Sequence, residues 1–223
     1  DADVDFAVNR IKVGAFAYSG QVCISVQRVF VHEDVYDEFR DKLITAVNSI
    51  KLGDPLDRAT DLGPMIDRKS LLRTKNWVDD AAKEGARILT GGEDTEGFFK
   101  PTVIENPSPE SFVCSKEAFA PLVTIFPVKS FGEAVRKVND SEFGLQAGVF
   151  TNNLEKALVA FENIEAGGVV INDIPTYRID HMPYGGVKAS GLGREGIKYA
   201  IEDMTEPRLM VFNRLESQKV SLD

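Results

Sequence analysis

Val4, Val8, Ile11 and Ala15 recur at helical spacing behind Asp1 and Asp3, acids that suit a helix N-terminus. The spacing predicts a first helix over about residues 3 to 19, interrupted by Gly14 and stopped by Gly20. The β-branched and aromatic run Arg28-Val29-Phe30-Val31 reads as a strand. Asp34 is then placed to cap a helix carrying Val35, Phe39, Leu43, Val47 and Ile50, which Gly53 and Pro55 end. A helix is expected around 68–85, closed by Gly85, followed by the strand Arg87–Thr90 and the turn Gly91-Gly92. Next come the strands Thr102–Ile104 and Leu122–Phe126, and a helix opened by the capping box Ser130-Phe131-Gly132-Glu133. Ala147–Phe150 and Val169–Asn172 read as strands around a helix from Leu154 to Ile164. A Gly-rich loop, a helix from about Arg194 to Met204 and a terminal strand Leu209–Phe212 close the pattern. Continuously apolar strands separated by helices imply an α/β fold, a mostly parallel sheet with helices on both faces. No linker or repeat divides residues 1–223, so one domain is expected.

Composition narrows the function classes. The 223 residues are 43% apolar, enough for a core that needs no disulfide or metal staple. A net charge of −9, with no clustered Lys and Arg, lacks the attraction that nucleic acid or an anionic bilayer requires. No apolar run approaches the roughly 20 residues of a membrane span. Two cysteines make no disulfide framework, which points to a reducing compartment, the cytoplasm by default. The sequence begins with Asp1 and further acids, where a signal peptide would be basic, and without an initiator Met. That start leads to the expectation of a piece of a longer protein.

Cys23, in Gly20-Gln21-Val22-Cys23, lies between a helix end and a buried strand. It is open to two readings: a half-buried core thiol, or a nucleophile on a loop at the sheet edge with backbone N–H groups to hold an oxyanion. A thiol with the ordinary pKa near 8.5 is only a few per cent thiolate at pH 7, so the second reading needs an activating partner. His32 and His181 are the available histidines, and a pairing with either would resemble a cysteine hydrolase or thioesterase. Cys114 has no Gly-flanked loop and reads as structural. Gly191-Leu192-Gly193-Arg194-Glu195-Gly196 matches the dinucleotide pattern G-x-G-x-x-G, but that fingerprint must directly follow a strand and open the helix of a βαβ unit. The preceding predicted strand stops near Asn172, so the glycines are read as a close-packed loop and a helix start.

Several motifs in order resemble the aldehyde dehydrogenase family. They are Asp1-Ala2-Asp3-Val4-Asp5 with Ala7-Val8, Gly-Gln-Val-Cys at Cys23, and Glu117-Ala118-Phe119-Ala120-Pro121 for the family's E-x-F-G-P. Asn139-Asp140 through Phe143-Gly144-Leu145, Gly168–Asn172, and Pro183-Tyr184-Gly185-Gly186 running on through Arg194-Glu195 continue the series. The resemblance implies that Cys23 attacks an aldehyde, that the thiohemiacetal loses a hydride to NAD or NADP, and that the thioester is hydrolysed or passed on. It also implies that Glu117 receives hydrogen bonds from the nicotinamide ribose and that Phe119 packs near the nicotinamide. Without the motif, Glu117 would read as a solvated surface carboxylate. Ala120 and Phe143 depart from the family's usual Gly and Tyr.

The family's general-base glutamate, its oxyanion-hole asparagine and its cofactor-binding strands lie upstream of the cysteine. The resemblance therefore implies a catalytic domain, residues 1–223, with the cofactor domain missing, and a possible oligomerising strand and tail over about 207–223. An isolated chain of this kind is expected to bind no NAD(P) appreciably and to turn nothing over. The family's oligomers imply a homo-oligomer, and a non-catalytic association module is the further alternative. The segment Asp173–Met182 corresponds to the substrate entrance and resembles that of lactaldehyde and phosphonoacetaldehyde dehydrogenases, which act on small polar or anionic aldehydes. There Arg178, with His181 beside it, would hold a substrate anion; an ion pair of Arg178 with Asp180 or another carboxylate is the other reading.

Overall fold

A computed structural model describes residues 1–213. The first helix, α1, runs Val4–Phe16 and is capped by Asp3, whose carboxylate accepts from the Phe6 N–H at 2.9 Å. It stops short of residue 19 because Tyr18 and Ser19 take left-handed backbone angles, which no α-helix accommodates. Strand β1, Arg28–His32, leads straight into α2, Glu33–Asn48. The cap of α2 is His32 and not Asp34: the imidazole Nδ1 accepts from the Asp34 N–H at 3.3 Å. Helix α3 (Arg68–Lys83) precedes β2 (Arg87–Thr90), and a short hairpin, β3 (Asp94–Thr95) and β4 (Phe98–Phe99), follows. Strand β5 (Thr102–Glu105), the single turn α4 (Phe112–Ser115) and β6 (Leu122–Val128) complete the first half.

Four of these strands form one sheet in the order β1-β6-β5-β2, parallel except for β2. Alternation along each strand feeds two cores. Val103, Val123 and Ile125 join Val31 against α1 and α2, packing on Leu43 and Phe39. Their neighbours Ile104 and Leu122 face the other way, onto Leu71, Val78 and Ala81 of α3. Helices therefore cover both faces, as the apolar runs predict.

The second half is smaller. Helix α5 (Phe131–Asn139) is opened by Ser130, which accepts from the Glu133 N–H, while the Glu133 carboxylate accepts from Lys129 N–H. Strands β7 (Phe143–Gly144) and β8 (Gln146–Val149), helix α6 (Leu154–Asn163) and β9 (Gly168–Ile171) follow. Strands β8 and β9 pair in parallel and pack on a third cluster around Val135, Ala160 and Ile164. Strand β10 (Val187–Lys188) pairs with β7, and α7 covers Ile197–Met204. Helix α7 begins later than the pattern suggests because Glu195 bridges to Tyr184 and Gly196 has φ of 120°. The expected strand Leu209–Phe212 is not formed: no strand of the described residues pairs with it, and its side chains stand in solvent. The rest of the expected tail lies outside the described residues.

Candidate active site

Cys23 occupies a tight turn closed by the Ser25 N–H donating to the Val22 carbonyl at 2.9 Å. The turn is held against α1 on one side and against the 113–121 segment on the other. Val26 N–H donates to the Gly14 carbonyl, and a side chain at Gly14 would collide with Val26 and Ile174, which explains the glycine inside a helix. Gly20 has φ of 66° and a Cβ there would overlap the Ala120 carbonyl oxygen. The short approach between these two backbones fixes where the Cys23 loop leaves α1.

Gln27, which sequence reasoning missed, joins the nucleophile loop to the Glu117 segment. Its amide nitrogen donates to the carbonyls of Val113 and Lys116, and its amide oxygen accepts from the Ala118 N–H at 3.0 Å. Arg73 donates to the Ala118 carbonyl from beneath. Backbone groups on both sides of Glu117, the Lys116 carbonyl and the Ala118 N–H and carbonyl, are thus satisfied by side chains from elsewhere, and the Glu117 carboxylate itself is exposed and without a hydrogen bond or ion pair among the described residues. Phe119 is exposed too, in a left-handed conformation with φ of 48°. The tight backbone therefore falls on Phe119, and the Ala120 methyl is buried in the second core without strain. Arg28 donates to the carbonyls of Lys137, Val138 and Asp140 at the C-terminus of α5, and its burial lowers its pKa from the usual guanidinium value.

Cys23 and Glu117 open onto one cavity of about 730 Å³. The cavity runs between β1 and β8, each of which pairs on one side only among the described residues. Cys23 is exposed, and its sulfur lies 3.2 Å from the Tyr184 hydroxyl. Neither histidine provides that contact: His32 caps α2 at the far end of β1, and His181 is exposed on the late loop. Burial pushes the Cys114 thiol up to about 11, consistent with a structural cysteine.

Arg178 does not pair with Asp180; its guanidinium donates to Glu195 at 3.0 Å and stacks over the Tyr184 ring, 4.3 Å from the centroid. It thus stands one residue removed from the Cys23 sulfur, with guanidinium hydrogens to spare. The Gly191–Gly196 run lies between the two-residue antiparallel β10 and α7, with no strand after α7 among the described residues. That is not a βαβ unit, so the pattern is no dinucleotide fingerprint here. No group of three metal-ligating side chains and no helix long and apolar enough to cross a membrane occurs among the described residues.

The family model described as "Aldehyde dehydrogenase family" matches residues 1–210. The chain is similar to the 3-sulfolactaldehyde dehydrogenase of Priestia aryabhattai, 48% identical over 213 residues, covering 96% of this chain and 45% of the relative. It is 41% identical over 213 residues to the lactaldehyde dehydrogenase of Methanococcus aeolicus, covering 96% and 46%. Among solved structures, the glyceraldehyde-3-phosphate dehydrogenase GapN from Methanocaldococcus jannaschii, complexed with NADP, superposes with a TM-score of 0.88 at 42% identity, covering 92% of this chain and 44% of that one. The chain therefore spans somewhat under half the length of the relatives it matches.

Proposed function

The chain belongs to the aldehyde dehydrogenase family, and from that premise we propose that it is the nucleophile-bearing domain of an NAD(P)-dependent enzyme oxidising a small aldehyde to an acid. The observation that carries the reading is the placement of Cys23: exposed, on a loop locked by Gly14 and Gly20, and opening onto the cavity that Glu117 also lines. The Cys23 thiolate would attack the aldehyde carbonyl to give a thiohemiacetal, and loss of hydride would leave a thioester on the same sulfur, open to water. Bound NAD or NADP supplies the hydride acceptor. Glu117 fits the ribose of such a group, because it is a carboxylate in the cavity wall with no hydrogen bond or ion pair among the described residues; Phe119, exposed two residues on, offers an apolar face to the nicotinamide. The remainder of the dinucleotide site would belong to sequence outside this chain.

Arg178, beside Cys23 through Tyr184, supports an anionic or hydroxylated aldehyde as substrate, in keeping with the names of the relatives. His181, exposed on the same loop, would contribute a second donor. Self-association is proposed as well, supported by the exposed side chains of Leu209, Met210, Val211 and Phe212. The decisive test is Cys23→Ser in the whole enzyme: aldehyde-dependent NAD(P)H formation should disappear, and retained turnover would refute the assignment. Calorimetry of this chain with NAD or NADP should show no micromolar binding; such binding would contradict a divided cofactor site.

A further inference from the structure

The Cys23 sulfur has one hydrogen-bond partner among the described residues, and it is a phenol. Tyr184 is buried, and the backbone bridge between Tyr184 and Glu195 fixes its place in the late loop. A buried tyrosine needs a partner for its O–H, and here that partner is the sulfur at 3.2 Å. The Arg178 guanidinium lies over the ring at 4.3 Å and is held there by Glu195 at 3.0 Å. A cation on the ring face is attracted to its π electrons and, by drawing on them, strengthens the O–H as a donor. The arrangement is a relay of fixed parts: Glu195 seats Arg178, Arg178 packs Tyr184, and Tyr184 meets the thiol.

Building on the assignment of Cys23 as nucleophile, we propose that Tyr184 is the positioning residue of that thiol, donating its phenolic O–H to the sulfur and favouring the anion, with Arg178 as the support beneath the ring. Burial first, and then the hydrogen bond to Cys23 and the charge on its sulfur, hold the Tyr184 phenol well above the usual tyrosine range. The phenol therefore stays a donor wherever the enzyme works. The other titratable and charged groups nearby are Glu195 on the late loop and, lining the cavity, Asp1, Arg28, His32, Asp34, Lys116, Glu117, Lys156 and Glu165. None of these is hydrogen-bonded to Cys23 among the described residues, so the phenol is the specific contact.

The test is the pH dependence of alkylation of Cys23 by iodoacetamide in the full-length protein, followed by mass spectrometry of the Cys23 peptide. Tyr184→Phe keeps the ring and its packing and removes only the donor. The rate at pH 7 should fall about tenfold, with the high-pH plateau unchanged. Arg178→Met should lower the rate at pH 7 by a smaller amount, about threefold, again with the plateau unchanged. A Tyr184→Phe profile superimposed on the parent overturns the proposal. So does an equal fall at every pH, because that is the signature of a displaced loop. Cys23→Ser separates this inference from the one it rests on. Turnover surviving in Cys23→Ser removes the nucleophile assignment, whereas a dead Cys23→Ser beside an unchanged Tyr184→Phe profile removes the phenol alone.

Discussion

The four-stranded sheet and the β8–β9 pair are built from similar sequence patterns, yet they finish differently. In the first, Val103, Val123, Ile125, Ile104 and Leu43 are wholly buried, with helices on both faces. In the second, β8 and β9 are only partly covered, and α6 turns Leu154, Leu158 and Phe161 outward. Helix α7 and the segment after it expose Ile197, Met204 and Phe212. The first half buries its sheet under helices on both faces, although Leu56 and Ile66 of its loops stand exposed, while the second leaves its strands and helices only partly covered among the described residues. The candidate site sits on the seam, since Cys23 leads into β1 and Tyr184 belongs to the late loop. A reaction at Cys23 would therefore depend on how the second half is held against the first.

That contrast can be broken by substitution. Leu43→Ala, in the first half, should cost about 3 kcal/mol by leaving a cavity, whereas Leu158→Ala on the outward face of α6 should cost under about 0.5 kcal/mol. Urea unfolding of both variants would measure the difference, and equal losses would mean that the halves are not distinct. Gly20→Ala should be of similar size to the core change, because a left-handed φ and an overlap with Ala120 combine. It should also slow alkylation of Cys23, read by the same peptide assay, and an unaltered rate would detach the loop from this contact.

A smaller effect sharpens the seam itself. Arg10 of α1 holds Asp173, just after β9, through two hydrogen bonds of 2.6 and 3.1 Å. The Arg10 guanidinium keeps the Asp173 carboxyl below the usual aspartate range. Its stabilisation is therefore present above the ordinary aspartate pKa and is lost as pH falls through the lowered folded value. Both side chains are partly solvated, so Arg10→Met should cost only about 1 kcal/mol at pH 7, shrinking toward nothing in acid. A cost that persists unchanged at pH 2 would show that Arg10 acts through packing instead. Least of all should be Asp180→Asn, since Arg178 is paired with Glu195; a measurable rise in KM for an acidic aldehyde would contradict that pairing.

Regular elements were legible in the sequence where local chemistry decides them. The helix caps at Asp3 and Ser130 and the buried run Leu122–Phe126, which the strand extends to Val128, follow directly from side-chain type and period. The misreadings come where tertiary structure decides. Leu209–Phe212 has strand composition, but a strand exists only with a partner to pair with. Helix α7 loses its first turn to the bridge between Tyr184 and Glu195, a contact that no local pattern encodes. At the site, Cys23, Glu117, Phe119, Arg178 and His181 were singled out from motifs, and the structure places Cys23 and Glu117 on one cavity. Gln27 and Tyr184 escaped, because an amide that clamps a distant backbone and a phenol that meets a sulfur 161 residues away leave no periodic trace. The available signal for Tyr184 was the motif Pro183-Tyr184-Gly185-Gly186, which marks the position but not the partner of its phenol.

If Cys23 is the nucleophile, its sulfur carries the acyl group during turnover. The most direct measurement is mass spectrometry of the whole enzyme quenched with acid during turnover of a small aldehyde such as lactaldehyde. An acyl adduct is expected on the Cys23 peptide, absent when NAD(P) is omitted and absent in Cys23→Ser. Aldehyde consumed and NAD(P)H formed with Cys23 unmodified, or with the acyl group on another residue, would contradict it.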